Sequence, residues 1–106
     1  MIITQTAPYP WDRSDRIVAE YQDVMKAMGV TDISVAGVEG YIAARILVDA
    51  LKAAGRSPTR ESFIKALDST RDQSLGSYRY SFSPTDHNGS TYVDITMIGR
   101  NGKLVR

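Results

Sequence analysis

The longest helical pattern in the chain covers residues 39–55. This stretch is rich in Ala and Leu, the strongest helix formers, and its apolar residues recur at intervals of three and four. The recurring positions are Val38, Tyr41, Ile42, Ile46, Leu47, Ala50, Leu51 and Ala54. They form a stripe wider than a helix on an open surface needs, which predicts a core helix. Gly55 stands where a left-handed C-terminal cap belongs, and Pro58 follows it.

Two shorter helical patterns flank this central one. The first is predicted to begin near Ser14, which can act as an N-cap, and to stop at Gly29. The third is predicted to begin after Thr59, another good N-cap, and to end near Ser69. Residues 30–37 carry no helix signal until a cap is offered by Ser34 or Gly37. They are predicted to form a buried connecting loop, with the lining of a pocket as the alternative.

Strand patterns lie at both ends of the chain. Residues 1–6 are short and β-branched, and their apolar start predicts a strand buried on both faces, as in a parallel sheet. Residues 71–74 are predicted to be a polar loop before a turn at Gly76. Beyond this turn, Tyr78, Tyr80 and Phe82 alternate with polar residues, the signature of a half-buried strand.

The C-terminal region continues as strands and turns. Residues 83–90 have loop chemistry throughout, with a strong turn signal at Asn88 and Gly89. A second strand is predicted over residues 92–98. After a tight turn at residues 100–103, Leu104 and Val105 are predicted to form a short terminal strand.

Composition narrows the classes of function. The 106 residues are enough for one domain at most. Thirteen Lys and Arg residues against twelve Asp and Glu give a net charge of +1, and the charges are interspersed, which argues against nucleic acid as a partner. The absence of Cys excludes disulfides and thiolate metal sites. No segment approaches the roughly twenty apolar residues of a membrane span, and no signal-peptide pattern is present, so we expect a soluble chain without an export signal.

Candidate catalytic chemistry is confined to one loop. Asp86 and His87 lie near Ser83, but a Ser/His/Asp hydrolase needs these groups to converge on a rigid scaffold with an oxyanion hole. One His with one neighbouring Asp also provides too few ligands for zinc. Residues 37–40 precede a helix but lack the spacing and the Lys of a phosphate-binding loop. The residues therefore predict no enzyme, no cofactor and no metal site.

The order of several short motifs resembles a known family. The motifs are IITQTAP at residues 2–8, EGYIAA at 39–44, ALKAAG at 50–55, PTR at 58–60, FSPTDHNGS at 82–90 and GRNG at 99–102. In this order and spacing they resemble the C-terminal third of a periplasmic substrate-binding protein. The resemblance covers nearly the whole chain. The family includes extracellular ligand-binding receptors and the leucine/isoleucine/valine-binding proteins of ABC importers.

This resemblance implies a fold. The chain would be an α/β fragment of the type I periplasmic-binding-protein fold, with three helices after a first strand and then a C-terminal β-hairpin or meander. It would form a single partial domain. Residues 1–80 would supply a strand and helices of the N-terminal lobe, and residues 81–106 a crossing segment and the C-terminal strands. Residues 4–8 and 82–92 would be two of the crossings between the lobes.

The resemblance also implies a function. Such receptors close two hinged lobes on a small ligand, such as an amino acid, an amide or an aromatic acid, and do not catalyse a reaction. They work in the periplasm and deliver the ligand to the membrane permease of an ABC importer. Relatives commonly carry an aromatic or hydroxyl residue just ahead of the Glu-Gly-Tyr motif. The matching positions here include Ala36 and Gly37, which would shape a pocket without polar recognition.

The nearest polar candidates for ligand binding are Thr6 and Glu39. Glu39 has an alternative role, because a carboxylate near a helix N-terminus also stabilises the helix dipole. The N-terminal two-thirds of the family's pattern, with most ligand contacts, lie outside this sequence.

A fragment of this fold would have unpaired strand edges and an uncovered helix face. Such surfaces favour association, which predicts a homo-oligomer. The alternative functions are a small self-associating module that has lost ligand binding and an enzyme that uses His87 as a general base.

Overall fold

The computed structural model describes residues 1–106 and shows an α/β chain with eight elements. In chain order they are β1 (Ile2–Gln5), α1 (Arg16–Ala27), α2 (Val35–Ala54), α3 (Arg60–Asp68), β2 (Gln73–Leu75), β3 (Tyr78–Tyr80), β4 (Asp94–Ile98) and β5 (Leu104–Val105). Three helices follow the first strand, and β4 and β5 pair as an antiparallel C-terminal hairpin. The predicted fold class is therefore confirmed.

Helix α2 begins earlier than its apolar pattern predicts. The side-chain oxygen of Ser34 accepts a hydrogen bond from the Gly37 backbone N–H at 3.0 Å, which caps the helix and starts it at Val35. Residues 35–37, predicted to belong to the connecting loop, are therefore the first helical turn. The cap outweighs the weak helix propensity of a β-branched residue and a glycine in that turn. At the other end Gly55, with φ of 96°, ends the helix as predicted.

The two shorter helices lie close to where the sequence predicts them. Thr59 and Ser62 form a reciprocal capping box at the start of α3, so the predicted cap is confirmed. The N-cap of α1 is Asp15, one residue beyond the predicted Ser14, and its side chain makes no capping hydrogen bond. The Asp15 carboxylate instead accepts from the Ser77 backbone N–H at 3.0 Å. This contact holds the β2–β3 turn against the start of α1. None of the three helices is both long enough and apolar enough to span a membrane.

The prediction that β1 is buried in a parallel sheet is wrong. The three-stranded sheet has the order β1-β4-β5 and is antiparallel, with Ile2 opposite Met97 and Gln5 opposite Asp94. Strand β1 is an edge strand, and Ile2 is 69% exposed. Its apolar start reflects an outer sheet face that no other element of the chain covers. Strand β1 thus shares a sheet with the C-terminal strands, and the predicted division of the chain at residue 80 stays a prediction.

A second, two-stranded sheet is formed by β2 and β3. Residues 73–75 were predicted to be loop, but they pair with residues 78–80 around a tight turn in which Gly76 has φ of 65°. Two of these three residues face solvent and only Leu75 is buried, so their polar composition gives no strand pattern in the sequence. Strand β3 ends at Tyr80, two residues short of the predicted Phe82.

The core lies where α1, α2 and the β2–β3 hairpin meet. It consists of Ala7, Ile17, Val18, Tyr21, Val38, Ile42, Leu75 and Tyr80. Within α2, Val38, Ile42 and Ala50 are buried, whereas Leu47 and Leu51 of the same stripe are exposed. Of the eight residues in the predicted stripe, three are therefore buried, three are partly buried and two are exposed. In all, 12 of the 106 residues are buried.

Two connecting segments lead to and from the three-stranded sheet: residues 6–15 join β1 to α1, and residues 81–93 join β3 of the two-stranded sheet to β4. The first segment is attached to the sheet by two contacts. The Tyr9 hydroxyl donates to the Leu104 carbonyl at 3.1 Å, and Arg106 Nη1 donates to Asp12 Oδ2 at 2.6 Å. These contacts hold the first segment against β5 and the C-terminal residue.

Candidate functional site

A concave pocket of about 240 Å³ opens where both connecting segments meet α2. We call it the connector pocket. Its walls are Thr6, Ala7, Glu39, Ile42, Ala43, Ile46, Tyr78, Ser90 and Tyr92. Helix α2 supplies an apolar floor, and the two segments supply hydroxyl groups and an aromatic ring. A mostly apolar cavity with a few polar groups is the usual composition of a small-molecule site.

Two of the predicted ligand-binding residues come together at the mouth of the pocket. Thr6 Oγ1 donates a hydrogen bond to Glu39 Oε1 at 2.9 Å. Thr6 is the first residue after β1, and Glu39 lies in the second turn of α2 because Ser34 caps that helix. Both side chains are exposed. The contact fixes the Glu39 carboxylate over the pocket, and its use in ligand binding stays a prediction.

The other two predicted residues, Ala36 and Gly37, do not line the pocket. Gly37 lies against the ring of Tyr21 in the core, where an added Cβ would clash with the tyrosine hydroxyl and lie 3.0 Å from Cζ. Close packing of α2 against Tyr21 therefore explains why residue 37 is a glycine. Ala36 is exposed in the first turn of α2. A role for either residue in ligand binding stays a prediction.

Two tyrosines that the sequence did not single out form one wall of the pocket. The rings of Tyr78 from β3 and Tyr92 from the second connecting segment have centroids 5.7 Å apart, with planes tilted by 42°. Their strand alternation was visible in the sequence. However, alternation alone cannot show that Tyr80 enters the core while Tyr78 reaches the pocket. Both lie on the same face of β3, so their different surroundings depend on how the hairpin packs against its neighbours, and the polar strand β2 of that hairpin was not predicted.

The hydroxyl of Tyr92 is held in its neutral form. Burial raises its pKa above the ordinary 10.0; a hydrogen bond with Ser77 acts against this, and the negative charges of Asp94 and Asp15 add to it. At neutral pH the wall therefore presents an uncharged phenol. Glu39 is the only ionisable acid or base among the lining residues apart from the two tyrosines, and none of the lining residues is basic. The pocket thus combines one carboxylate, hydroxyl groups, aromatic faces and an aliphatic floor.

The loop that carries His87 makes a different set of contacts from those of a hydrolase. His87 Nε2 lies 3.0 Å from Asp68 Oδ1 at the end of α3, whereas Asp86 accepts from the Asn88 backbone N–H at 2.9 Å. Ser83 Oγ lies 3.4 Å from Thr85 Oγ1. His87 therefore attaches the second connecting segment to α3. No group of three or more His, Cys, Asp and Glu side chains lies close enough to share a metal ion.

The fold is an α/β fold in which a helix and two connecting segments form a concave pocket. A family model described as periplasmic binding protein matches residues 2–103, and the chain belongs to this family. No curated protein sequence matches the chain at a significant level.

Three solved structures share the fold over nearly the whole chain. A substrate-binding periplasmic protein from Ralstonia solanacearum is 29% identical, with a TM-score of 0.86 over 98% of this chain and 30% of its own. An extracellular ligand-binding receptor from Verminephrobacter eiseniae ef01-2 is 27% identical, with a TM-score of 0.84 over 99% of this chain and 30% of its own. A possible leucine/isoleucine/valine-binding protein from Rhodopirellula baltica SH 1 is 28% identical, with a TM-score of 0.87 over 100% of this chain and 29% of its own. The chain thus spans about 30% of the length of these relatives.

Proposed function

We propose that the chain is a solute-binding component of an ABC-type importer and that it binds a small solute in the connector pocket without catalysis. The solute classes are those that the family resemblance suggests, namely an amino acid, an amide or an aromatic acid. The observation that carries the proposal is the Thr6–Glu39 pair, which sets polar groups over an apolar floor where the two connecting segments meet. In a hinged receptor this is the place where a solute contacts both moving parts.

The dimensions of the pocket support a small solute. Its volume of about 240 Å³ is just below the range of roughly 300–1,000 Å³ for ligand sites. Because the chain covers about 30% of its relatives, the pocket is proposed to be one wall of a larger site. Relatives described as a periplasmic substrate-binding protein and an extracellular ligand-binding receptor support a periplasmic location. Delivery to a membrane permease is part of the same proposal.

A thermal-shift screen against amino acids, amides and aromatic acids tests this function. A ligand at 100 times its Kd stabilises the folded state by about 2.7 kcal/mol, which is a readily measured rise in Tm. Ala43→Phe should fill the pocket and abolish the rise. Ala44→Phe is the matched control, because Ala44 is the next residue of α2, is also exposed and does not line the pocket. No response to any solute, or the same response in both variants, would contradict the proposal.

A second candidate function, self-association, is favoured by the exposed surface. The accessible surface is 7225 Å², whereas a compact monomer of 11.7 kDa exposes about 5,900 Å². The excess of about 1,300 Å² exceeds the roughly 800 Å² that each partner buries in a standard interface. Light scattering at increasing protein concentration tests this function. We expect a dimer or larger oligomer, and a monomer at every concentration would exclude it.

A further inference from the structure

A second concave site lies between α2, α3 and strand β2, and we call it the α2–α3 groove. Its volume is about 560 Å³, inside the range of roughly 300–1,000 Å³ for ligand sites. Ile46 is the only residue that it shares with the connector pocket. We infer that the α2–α3 groove binds a small aliphatic carboxylate, which Arg71 and Lys65 hold by its head group. This inference goes beyond the proposed function and does not depend on it.

Arg71 is fixed in place with part of its guanidinium group free. Its Nη1 donates to the backbone carbonyls of Asp68 and Thr70 at 2.8 and 2.9 Å and to that of Phe82. These contacts hold the side chain between the end of α3 and the second connecting segment. Its Nε and Nη2 form no hydrogen bond within the chain, and together they form an edge to which a carboxylate can bind by two parallel hydrogen bonds. Arg71 thus provides a positioned pair of donors among the lining residues of the groove.

The charges of the groove favour an anion. Its two basic lining residues form no ion pair within the chain. Asp49 is the only acidic lining residue, and Arg45 lies 3.9 Å from its carboxylate. The Asp68 carboxylate, at the end of α3, contacts His87 at 3.0 Å. An anionic head group would therefore meet two positive charges that are not paired with a carboxylate of the chain.

The floor of the groove suits an aliphatic chain. It is formed by apolar residues of α2 and α3, namely Ile46, Ala50, Ala53, Ala66 and Leu67. Tyr80 adds a neutral hydroxyl, because burial and the negative charge of Asp49 raise its pKa above the ordinary 10.0 against the opposing effect of Arg45. A neutral phenol can donate a hydrogen bond to a carboxylate. A ligand with an anionic head and an apolar chain therefore matches both the charges and the floor of the groove.

Three probes of one chain length and different head groups test this inference at pH 7. Hexanoate carries an anion, hexanamide is neutral and hexylamine carries a cation. Binding is followed through the backbone amide NMR signals of Ala50, Ala53 and Ala66 in the groove, while the signal of Ala43 reports on the connector pocket. We expect hexanoate to bind at least about tenfold more tightly than either of the other probes, as one charge-assisted hydrogen bond allows.

Two variants test the head-group contacts separately. Arg71→Lys keeps the positive charge but removes the paired donors, and it should weaken hexanoate binding about tenfold. Lys65→Gln removes one exposed charge and should weaken hexanoate binding about two- to fivefold. Lys52→Gln is the matched control, since Lys52 is also exposed, lies in α2 and does not line the groove. The ranking of the probes and Lys65→Gln decide the matter even if Arg71→Lys folds poorly.

The outcomes separate this inference from the proposed function. If hexanamide or hexylamine binds as tightly as hexanoate, the groove does not select a carboxylate and the inference is wrong. If Lys65→Gln and Lys52→Gln weaken hexanoate binding equally, net charge is the cause and the inference is again wrong. If hexanoate shifts only the Ala43 signal, or none, the α2–α3 groove is not its site. The proposed function is decided separately, by the thermal-shift screen and Ala43→Phe.

Discussion

At the scale of single residues, Gly37 shows how packing decides the identity of one position. An alanine Cβ there would clash with the hydroxyl of Tyr21, which is buried and has no hydrogen-bond partner. We expect Gly37→Ala to lower the free energy of unfolding by about 1–3 kcal/mol through overpacking. The measurement is the midpoint of urea denaturation at constant slope.

Gly40 provides the matched control for Gly37. It lies in the same helix, and an added Cβ would meet no atom within 4 Å. Gly40→Ala should therefore raise the free energy of unfolding by about 0.5–1 kcal/mol, because alanine is the better helix former. Changes of the same sign in both variants would contradict the packing argument.

The pocket residues show what a sequence can and cannot give at this scale. Thr6 and Glu39 were predicted from the family resemblance, and the structure brings them into contact. Ala36 and Gly37 were predicted from the same resemblance, but the cap at Ser34 places them in a helical turn outside the pocket. Tyr92 was missed because its position depends on the route of the second connecting segment. The pattern of apolar and polar residues around Tyr92 does not determine the path of that segment.

At the scale of elements, helix α3 depends on its capping box. Thr59 Oγ1 accepts from the Ser62 backbone N–H at 3.1 Å, and Ser62 Oγ accepts from the Thr59 backbone N–H at 2.8 Å. The helix has nine residues and no fully buried side chain, so little packing compensates for a lost cap. We expect Thr59→Ala to cost about 1 kcal/mol of stability and Ser57→Ala, just outside the helix, to cost far less. Amide hydrogen exchange in α3 would measure the difference, and equal protection in the two variants would contradict it.

The β2–β3 hairpin contains a pH-dependent ion pair. Asp72 accepts from Arg79 Nε and Nη2 at 2.9 and 2.7 Å, and these hydrogen bonds, with the positive charge of Arg79, hold the pKa of Asp72 below 3.8. Because this pKa is lower in the folded state, the pair stabilises the hairpin above the unfolded pKa of about 3.9. That contribution is lost as the pH falls through the folded pKa.

Removing the arginine should restore the ordinary titration of Asp72. We expect Arg79→Gln to raise the pKa of Asp72 towards 3.8, as followed by carbon NMR of its side-chain carboxyl group. Arg100→Gln is the control, since Arg100 is exposed and has no acidic partner among the ion pairs of the chain. An unchanged pKa of Asp72 in Arg79→Gln would show that the pair does not set it.

The elements were predictable where local chemistry decides them. The helices follow from apolar spacing and from caps such as Thr59, and the end of α2 follows from Gly55. The environment of β1 was not predictable. An apolar run fits both a strand buried on two faces and an edge strand whose outer face lacks a cover, and only pairing with β4 distinguishes them.

At the scale of the whole molecule, two groups of exposed apolar side chains lie on the three-stranded sheet and on α2. One face of the three-stranded sheet carries Ile2, Ile95, Met97 and Val105, all exposed and joined by cross-strand pairing. On α2, Leu47, Val48 and Leu51 are exposed as well. Contiguous apolar patches of this kind mark surfaces that bind other polypeptide. The sheet face, with unpaired edges at β1 and β5, is the stronger candidate.

If the chain self-associates through the sheet face, as proposed above, a charge at the centre of this face should weaken the association. In a dimer joined by this face, Lys in place of Ile95 or Met97 would bury an ammonium group without a partner. We therefore expect Ile95→Lys and Met97→Lys each to weaken association at least about tenfold, or about 1.4 kcal/mol, as measured by light scattering against concentration. Thr91→Lys adds the same charge at an exposed residue outside the sheet and should leave association unchanged. Equal weakening in all three variants would point to net charge as the cause. No weakening in the first two variants would show that the sheet face is not the interface and would favour the exposed residues of α2.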